Sequence, residues 1–101
     1  MNVFIVGALP PQLPSEIEIV GNKKVIFAAT VKKTINQIKK LQSEARWADA
    51  KMLLFTETPI IVTAALIEMD SEYGIPSPVK IGGLCYIKNE WVIIPLIQGN
   101  L

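Results

Sequence analysis

The chain has 101 residues, half of them apolar and 19% charged, with a formal net charge of +1. That length holds one core and therefore one domain, residues 1–101. The composition excludes disorder, and near-neutrality excludes a basic or acidic field spread over the whole molecule. With no histidine and one cysteine, Cys85, a His-based triad, a zinc site of the usual ligands and an internal disulfide are excluded, which fits a reducing, cytoplasmic setting.

Asn2 to Val6 is a short β-branched and aromatic run closed by Gly7 and Pro10-Pro11, and it reads as a buried strand. The first fifteen residues are uncharged, yet they carry three prolines and no basic region, so they do not read as a signal peptide. Glu16-Ile17-Glu18-Ile19-Val20 alternates polar and apolar, and Gly21-Asn22 precedes Lys23-Lys24 and the run from Val25 to Ala29. This pattern predicts a hairpin turning at Gly21-Asn22 or Asn22-Lys23.

Thr30 can cap a helix from Val31, in which Val31, Ile35, Ile38, Leu41 and Ala45 recur at helical spacing; it should run to about residues 46–49. Met52 to Phe55 reads as a strand. Thr58 before Pro59 and Gly74 before Ile75-Pro76 would start and stop a second helix. Against that, Ile60-Ile61-Val62-Thr63 is β-rich, and Glu68, Asp70 and Glu72 suit a helix C-terminus badly. The balance favours a strand over residues 60–69 and a loop after it. That segment holds the longest uncharged internal run, ten residues, too short for a membrane helix.

Pro76-Ser77-Pro78 is a break. Residues 79–87 and 91–94 form a hairpin around Lys88-Asn89, with Tyr86 opposite Trp91 and Leu84 opposite Ile93. Cys85, Ile87, Val92 and Ile94 take the other side, so both faces need cover, one of them from the helix of residues 31–45. Pro95 ends the ladder or marks an edge. The fold class expected is α+β: one domain, a mostly antiparallel sheet of five to seven strands, and one principal amphipathic helix packed on it.

Charge is laid out unevenly. Residues 19–46 hold seven bases and one acid, Glu44, whereas residues 57–72 hold four acids and no base. Lys32 and Lys39, like Lys33 and Lys40, stand two helical turns apart, about 10 Å along the axis, on the polar side. With Lys23, Lys24, Arg46 and Trp47 they form a candidate surface for nucleic acid or another polyanion. The competing account makes the lysines a solvated face and turns Trp47 into the core.

Glu68, Asp70 and Glu72 would project to one side of an extended chain as a candidate hard-cation cluster, or serve as a charged edge that blocks aggregation. Cys85 lacks a histidine to activate it and is expected buried and inert. Gly82-Gly83 reads as a bulge or close backbone approach, since it lacks the setting of a phosphate loop. Tyr86, Trp91, Ile93, Leu96 and Ile97 form the candidate docking surface.

No motif specifies a reaction or a cofactor, so a non-enzymatic interaction module is expected: an adaptor, regulator or accessory subunit. The apolar excess of so short a chain points to self-association, a dimer first, with a further protein partner as an option and no membrane partner. The alternatives are a nucleic-acid-binding protein and a divalent-cation-dependent enzyme built on the acidic group.

Overall fold

The computed structural model describes residues 1–72 and 79–97. In chain order the elements are β1 (Asn2–Val6), β2 (Glu18–Lys23), α1 (Val31–Trp47), β3 (Met52–Phe55), α2 (Ile60–Glu72), β4 (Lys80–Ile87) and β5 (Glu90–Ile97). The break expected at Pro76-Ser77-Pro78 lies outside the described residues, as do the side chains of Glu72, Pro95 and Ile97.

The strands form one sheet in the order β2-β1-β3-β4-β5. Pairs β1–β2, β1–β3 and β3–β4 are parallel and only β4–β5 is antiparallel. The class α+β stands, but the expected mostly antiparallel sheet with one helix is corrected to a mixed, mostly parallel sheet with two. The physical reason lies in the central strands: Val3, Phe4, Ile5 and Val6, and all of Met52 to Phe55, are buried. Strands apolar on both faces fit the middle of a parallel sheet, covered on two sides.

α1 forms where its periodicity places it. Ile35, Ile38, Leu41 and Ala45 are buried. The Thr30 hydroxyl accepts the Lys33 N–H at 3.3 Å, capping the first turn. At the other end Asp49 takes a left-handed backbone, φ 61°, so that its N–H donates to Arg46 O at 3.1 Å and the Ala50 N–H to Ala45 O at 2.9 Å. These two bonds make a Schellman stop, with Asp where glycine is usual.

The hairpin expected over residues 16–29 does not form. β2 runs straight through Gly21-Asn22 and pairs parallel with β1. Gly21 is a site of close approach: a Cβ there would lie 2.5 Å from the Phe4 ring, and the β1–β2 register shifts between Val3 and Phe4 beside it. The segment at 24–30 pairs with a helix side chain instead of a strand. Gln37 accepts the Ala28 N–H at 2.9 Å and donates to Ile26 O at 3.0 Å, while the Thr34 hydroxyl, on a fully buried side chain, donates to Ala28 O at 3.3 Å. Phe27 then reaches Phe55, ring centroids 6.1 Å apart.

Residues 60–72 are helix, which corrects the strand expected over 60–69. Parallel neighbours β3 and β4 need a crossover connection, and an amphipathic or apolar helix is the usual one. That tertiary requirement outweighs the β propensity of Ile60-Ile61-Val62. Val62, Ala65 and Leu66 are buried, and α2 packs beside α1.

Both helices cover the face carrying Phe4, Val6, Leu53, Phe55 and Ile81. The opposite face carries Val3, Ile5, Met52, Leu54 and Leu84, and its cover comes from Leu13 and Ile17 in the connection at 7–17 and from Trp91 and Ile93. The β4–β5 hairpin matches expectation in register: Tyr86 opposes Trp91 and Leu84 opposes Ile93 around Lys88-Asn89, both of which have positive φ. Its expected cover by α1 does not match. α1 lies over β3 and against α2, and Ile87, Ile94 and Leu96 stay exposed.

Candidate functional site

At ~100° per residue, Lys32, Lys33, Asn36, Lys39, Lys40, Ser43, Arg46 and Trp47 share one sector of α1 about 140° wide. All eight are exposed. The buried residues Ile35, Ile38, Leu41 and Ala45 occupy the opposite side. Five of the eight are cations and none is an acid. Trp47 falls between the Lys32/Lys39 row and the Lys33/Lys40 row and is 90% exposed, so it does not turn into the core. This position was legible on the helical wheel, where Trp47 stands diametrically opposite the apolar stripe.

Glu44, the one acid of α1, lies at the border of that sector. The Lys23 ammonium holds it at 2.9 Å, reaching across from the end of β2. Lys23 therefore neutralises Glu44, and the cationic surface consists of the α1 sector with Lys24 exposed beyond the end of β2. Lys23 ends a parallel edge strand and Lys24 follows it, so the pair is not a hairpin tip.

The sheet divides the residues expected to dock a partner. Tyr86, Trp91 and Ile93 line up on the face opposite the helices, where the Tyr86 and Trp91 rings lie 5.1 Å apart, tilted by 53°. They form one wall of an open groove of about 1070 Å³ whose other wall is residues 11–16. Leu96 belongs to the helix-side face, against Gly83 and in line with Ile94. There it meets Ile67 of α2 across a cavity of about 160 Å³ that Thr58, Thr63, Leu66 and Asp70 also line. Ile67 and Ile60, in the segment whose sequence favours a strand, are 65% and 89% exposed.

Because residues 60–72 are helix, Glu68 and Asp70 do not project together as an extended chain would have them. In a helix Asp70 is turned ~200° from Glu68, and only Glu72 stands one turn on from Glu68. No group of three or more His, Cys, Asp or Glu able to hold a metal occurs among the described residues. Cys85, expected buried, is exposed: it lies on the helix-side face of β4, where neither helix covers it. Gly82 and Gly83 are buried at close approaches, as expected, with a Cβ on Gly82 falling 2.6 Å from Met52 Sδ.

Strand order reverses direction between β1 and β3, and open parallel sheets commonly take ligands outside the carboxyl ends of such strands. Here those ends are drawn together. The Gly7 N–H donates to Lys23 O at 2.9 Å and the Thr56 N–H to Val6 O at 3.1 Å, while Asn22 Nδ2 donates to both Ile5 O and Gly7 O. Gly7 has φ 116°, and a Cβ on it would collide with Thr56 Oγ1. Glu57 and Thr58 follow, both exposed.

No helix among the described residues is long and apolar enough to cross a membrane. Comparison with protein-family models, with curated proteins and with solved structures finds no match to this chain.

Proposed function

We propose that the chain is a non-enzymatic interaction module, an adaptor, regulator or accessory subunit, that works as a homodimer joined along the outer edge of β5. The observation carrying this reading is the contrast in charge between the two edges of the sheet. β2 at one edge carries Glu18 and Lys23, and charge is one device by which natural edge strands avoid pairing; a register shift occurs at both edges. β5 at the other edge is eight residues long with one charge, Glu90, at its start.

Among the described residues no strand pairs with that outer edge. Ile94 and Leu96 are exposed on it, and Tyr86, Ile87 and Ile67 are exposed close by. Eight extended residues span roughly 26 Å of backbone donors and acceptors, with Pro95 withholding one N–H. Antiparallel pairing of this edge with itself is self-complementary about a two-fold axis, which favours a second copy over a foreign strand. The helix-side isoleucines would add the side-chain burial that a stable interface of roughly 1,200–2,000 Å² requires.

The test is native mass spectrometry and light scattering on the full chain across a hundred-fold concentration range, beside Ile94→Lys. Because Ile94 is exposed, the lysine leaves the core intact while placing a charge on the edge. A dimer that Ile94→Lys converts to monomer supports the reading. A monomer at every concentration, or a dimer indifferent to the substitution, overturns it.

A further inference from the structure

We propose that the outward face of α1 binds single-stranded nucleic acid, with phosphates along the two lysine rows and a base stacked on Trp47. This inference is independent of the β5 edge, which lies at the far end of the sheet from the strand nearest Lys23.

Three features distinguish this face from the ordinary solvated side of a helix. It has one sign: Lys32, Lys33, Lys39, Lys40 and Arg46 occupy it without an acid, on a chain whose total charge is only +1. Solvated helix faces usually interleave opposite charges at i and i+4, and this sector holds no acid of its own to do so. Next, Glu44 at the border of the sector is already neutralised by Lys23 brought from another element, and the exposed Asp49 stands only past the end of the helix. Last, the face carries a tryptophan 90% exposed at its C-terminal end, beside Arg46 and two turns beyond Lys40. A Trp offers roughly 150–250 Å² to burial, so a partner that covers this ring gains a large contact area.

Lysine rows that lead to an exposed aromatic ring describe a particular ligand chemistry. The rows supply point charges about 10 Å apart along the axis, which suit a phosphate backbone without dictating base sequence. The indole supplies a flat surface that any unpaired base can cover. In a duplex the bases are stacked on one another and cannot reach that ring, so the single strand is the form that engages both features. Binding should accordingly tolerate base sequence and depend steeply on salt.

The experiment uses the full chain, freed of co-purifying nucleic acid in high salt, with a fluorescein-labelled 20-mer of deoxythymidine followed by anisotropy from 50 to 300 mM salt. Lys33→Glu/Lys40→Glu, Trp47→Ala and Trp47→Phe are all at exposed positions, and unchanged far-ultraviolet circular dichroism would show that each folds. The expected result is a log–log salt slope near −3, from about four phosphate contacts at ~0.7 each. The double lysine variant should bind at least ten-fold more weakly with a shallower slope. Trp47→Ala should lose roughly 5- to 100-fold with the slope unchanged, the signature of a lost stack and not a lost charge. Quenching of protein fluorescence on binding should persist in wild type and vanish in Trp47→Phe. Failure to bind at 50 mM salt overturns the proposal. So does binding that ignores Trp47→Ala, equal affinity for a duplex of the same length, or equal affinity for phosphatidylserine vesicles. Each of these would reduce the face to a non-selective cationic surface or assign it to a different ligand.

Discussion

The Lys23 ammonium sits 2.9 Å from one Glu44 carboxylate oxygen and 3.3 Å from the other, joining the end of an edge strand to the last turns of α1. Both side chains are substantially exposed, so the pair adds only about 0–1 kcal/mol to stability, less as salt rises. Its larger effect is on the field of the helix face, from which it removes a negative charge. Glu44→Gln should therefore lower the thermal midpoint by no more than about 4–8 °C. At low salt it should tighten binding of an oligonucleotide by two- to five-fold and steepen the salt slope, because Lys23 becomes an added cation. Anisotropy titrations at two salt concentrations check this, and an unchanged slope would show that Lys23 lies outside the footprint.

Asp49 holds the left-handed position that ends α1, φ 61°, with the Arg46 and Ala45 carbonyls bonded by the two residues of the turn. Asp tolerates that region better than most residues, though less well than glycine. Asp49→Gly should raise stability by about 0.5–1 kcal/mol, and Asp49→Val should lower it by about 1–2 kcal/mol, since a β-branched residue meets the full steric cost. Urea midpoints at constant m-value measure both changes.

Those two sites also indicate what could be read in advance. α1 was legible because its signals are local: Thr30 at the cap and Ile35, Ile38, Leu41 and Ala45 at helical spacing. The β4–β5 pairing was legible for the same reason, since a two-residue turn fixes the register of Tyr86 and Trp91. The parallel pairs were not, because β1 meets β3 across some fifty residues and no turn links them. The unbroken apolar runs of β1 and β3 were the available sign, being characteristic of strands covered on both faces. Gly21 is ambiguous in sequence because a glycine in a turn and a glycine under an aromatic ring look alike; only the Phe4 ring tells them apart. In α2, β-branched residues outvoted the Thr58-Pro59 start, and the exposure of Ile60 and Ile67 was lost with the helix. For the cationic face, the spacing of the lysines was plain, while the neutralisation of Glu44 by Lys23 depends on tertiary placement.

Lys88 and Asn89 both adopt left-handed backbones, φ 51° and 65°, as a two-residue type I′ turn demands. Asn suits its position, but Lys at the first carries the steric cost of a Cβ there. Replacing the pair by Asn-Gly should stabilise the protein by about 1 kcal/mol without altering the Tyr86–Trp91 pair. Chemical denaturation reads the gain, and retention of the near-ultraviolet aromatic signal reads the pair. A loss of stability would mean that Lys88 makes a compensating interaction in solution.

Gly21 and Phe4 are coupled by shape. A methyl group on Gly21 would intrude to 2.5–2.6 Å from two carbons of the Phe4 ring, which is itself 8% exposed in the core beneath the helices. The ring can yield only by displacing its neighbours, so Gly21→Ala should cost about 1–3 kcal/mol, the usual range for overpacking. Phe4→Leu alone should cost about 1–2 kcal/mol through partial loss of ring burial. In the double variant the smaller leucine side chain leaves room for the new methyl, and the combined loss should fall short of the sum by at least ~1 kcal/mol. A double-mutant cycle by urea denaturation decides the matter. Strict additivity would mean that Gly21 is required for backbone conformation and not for the space it leaves, and the close approach of Phe4 would then be a consequence of the β1–β2 register shift and not its cause.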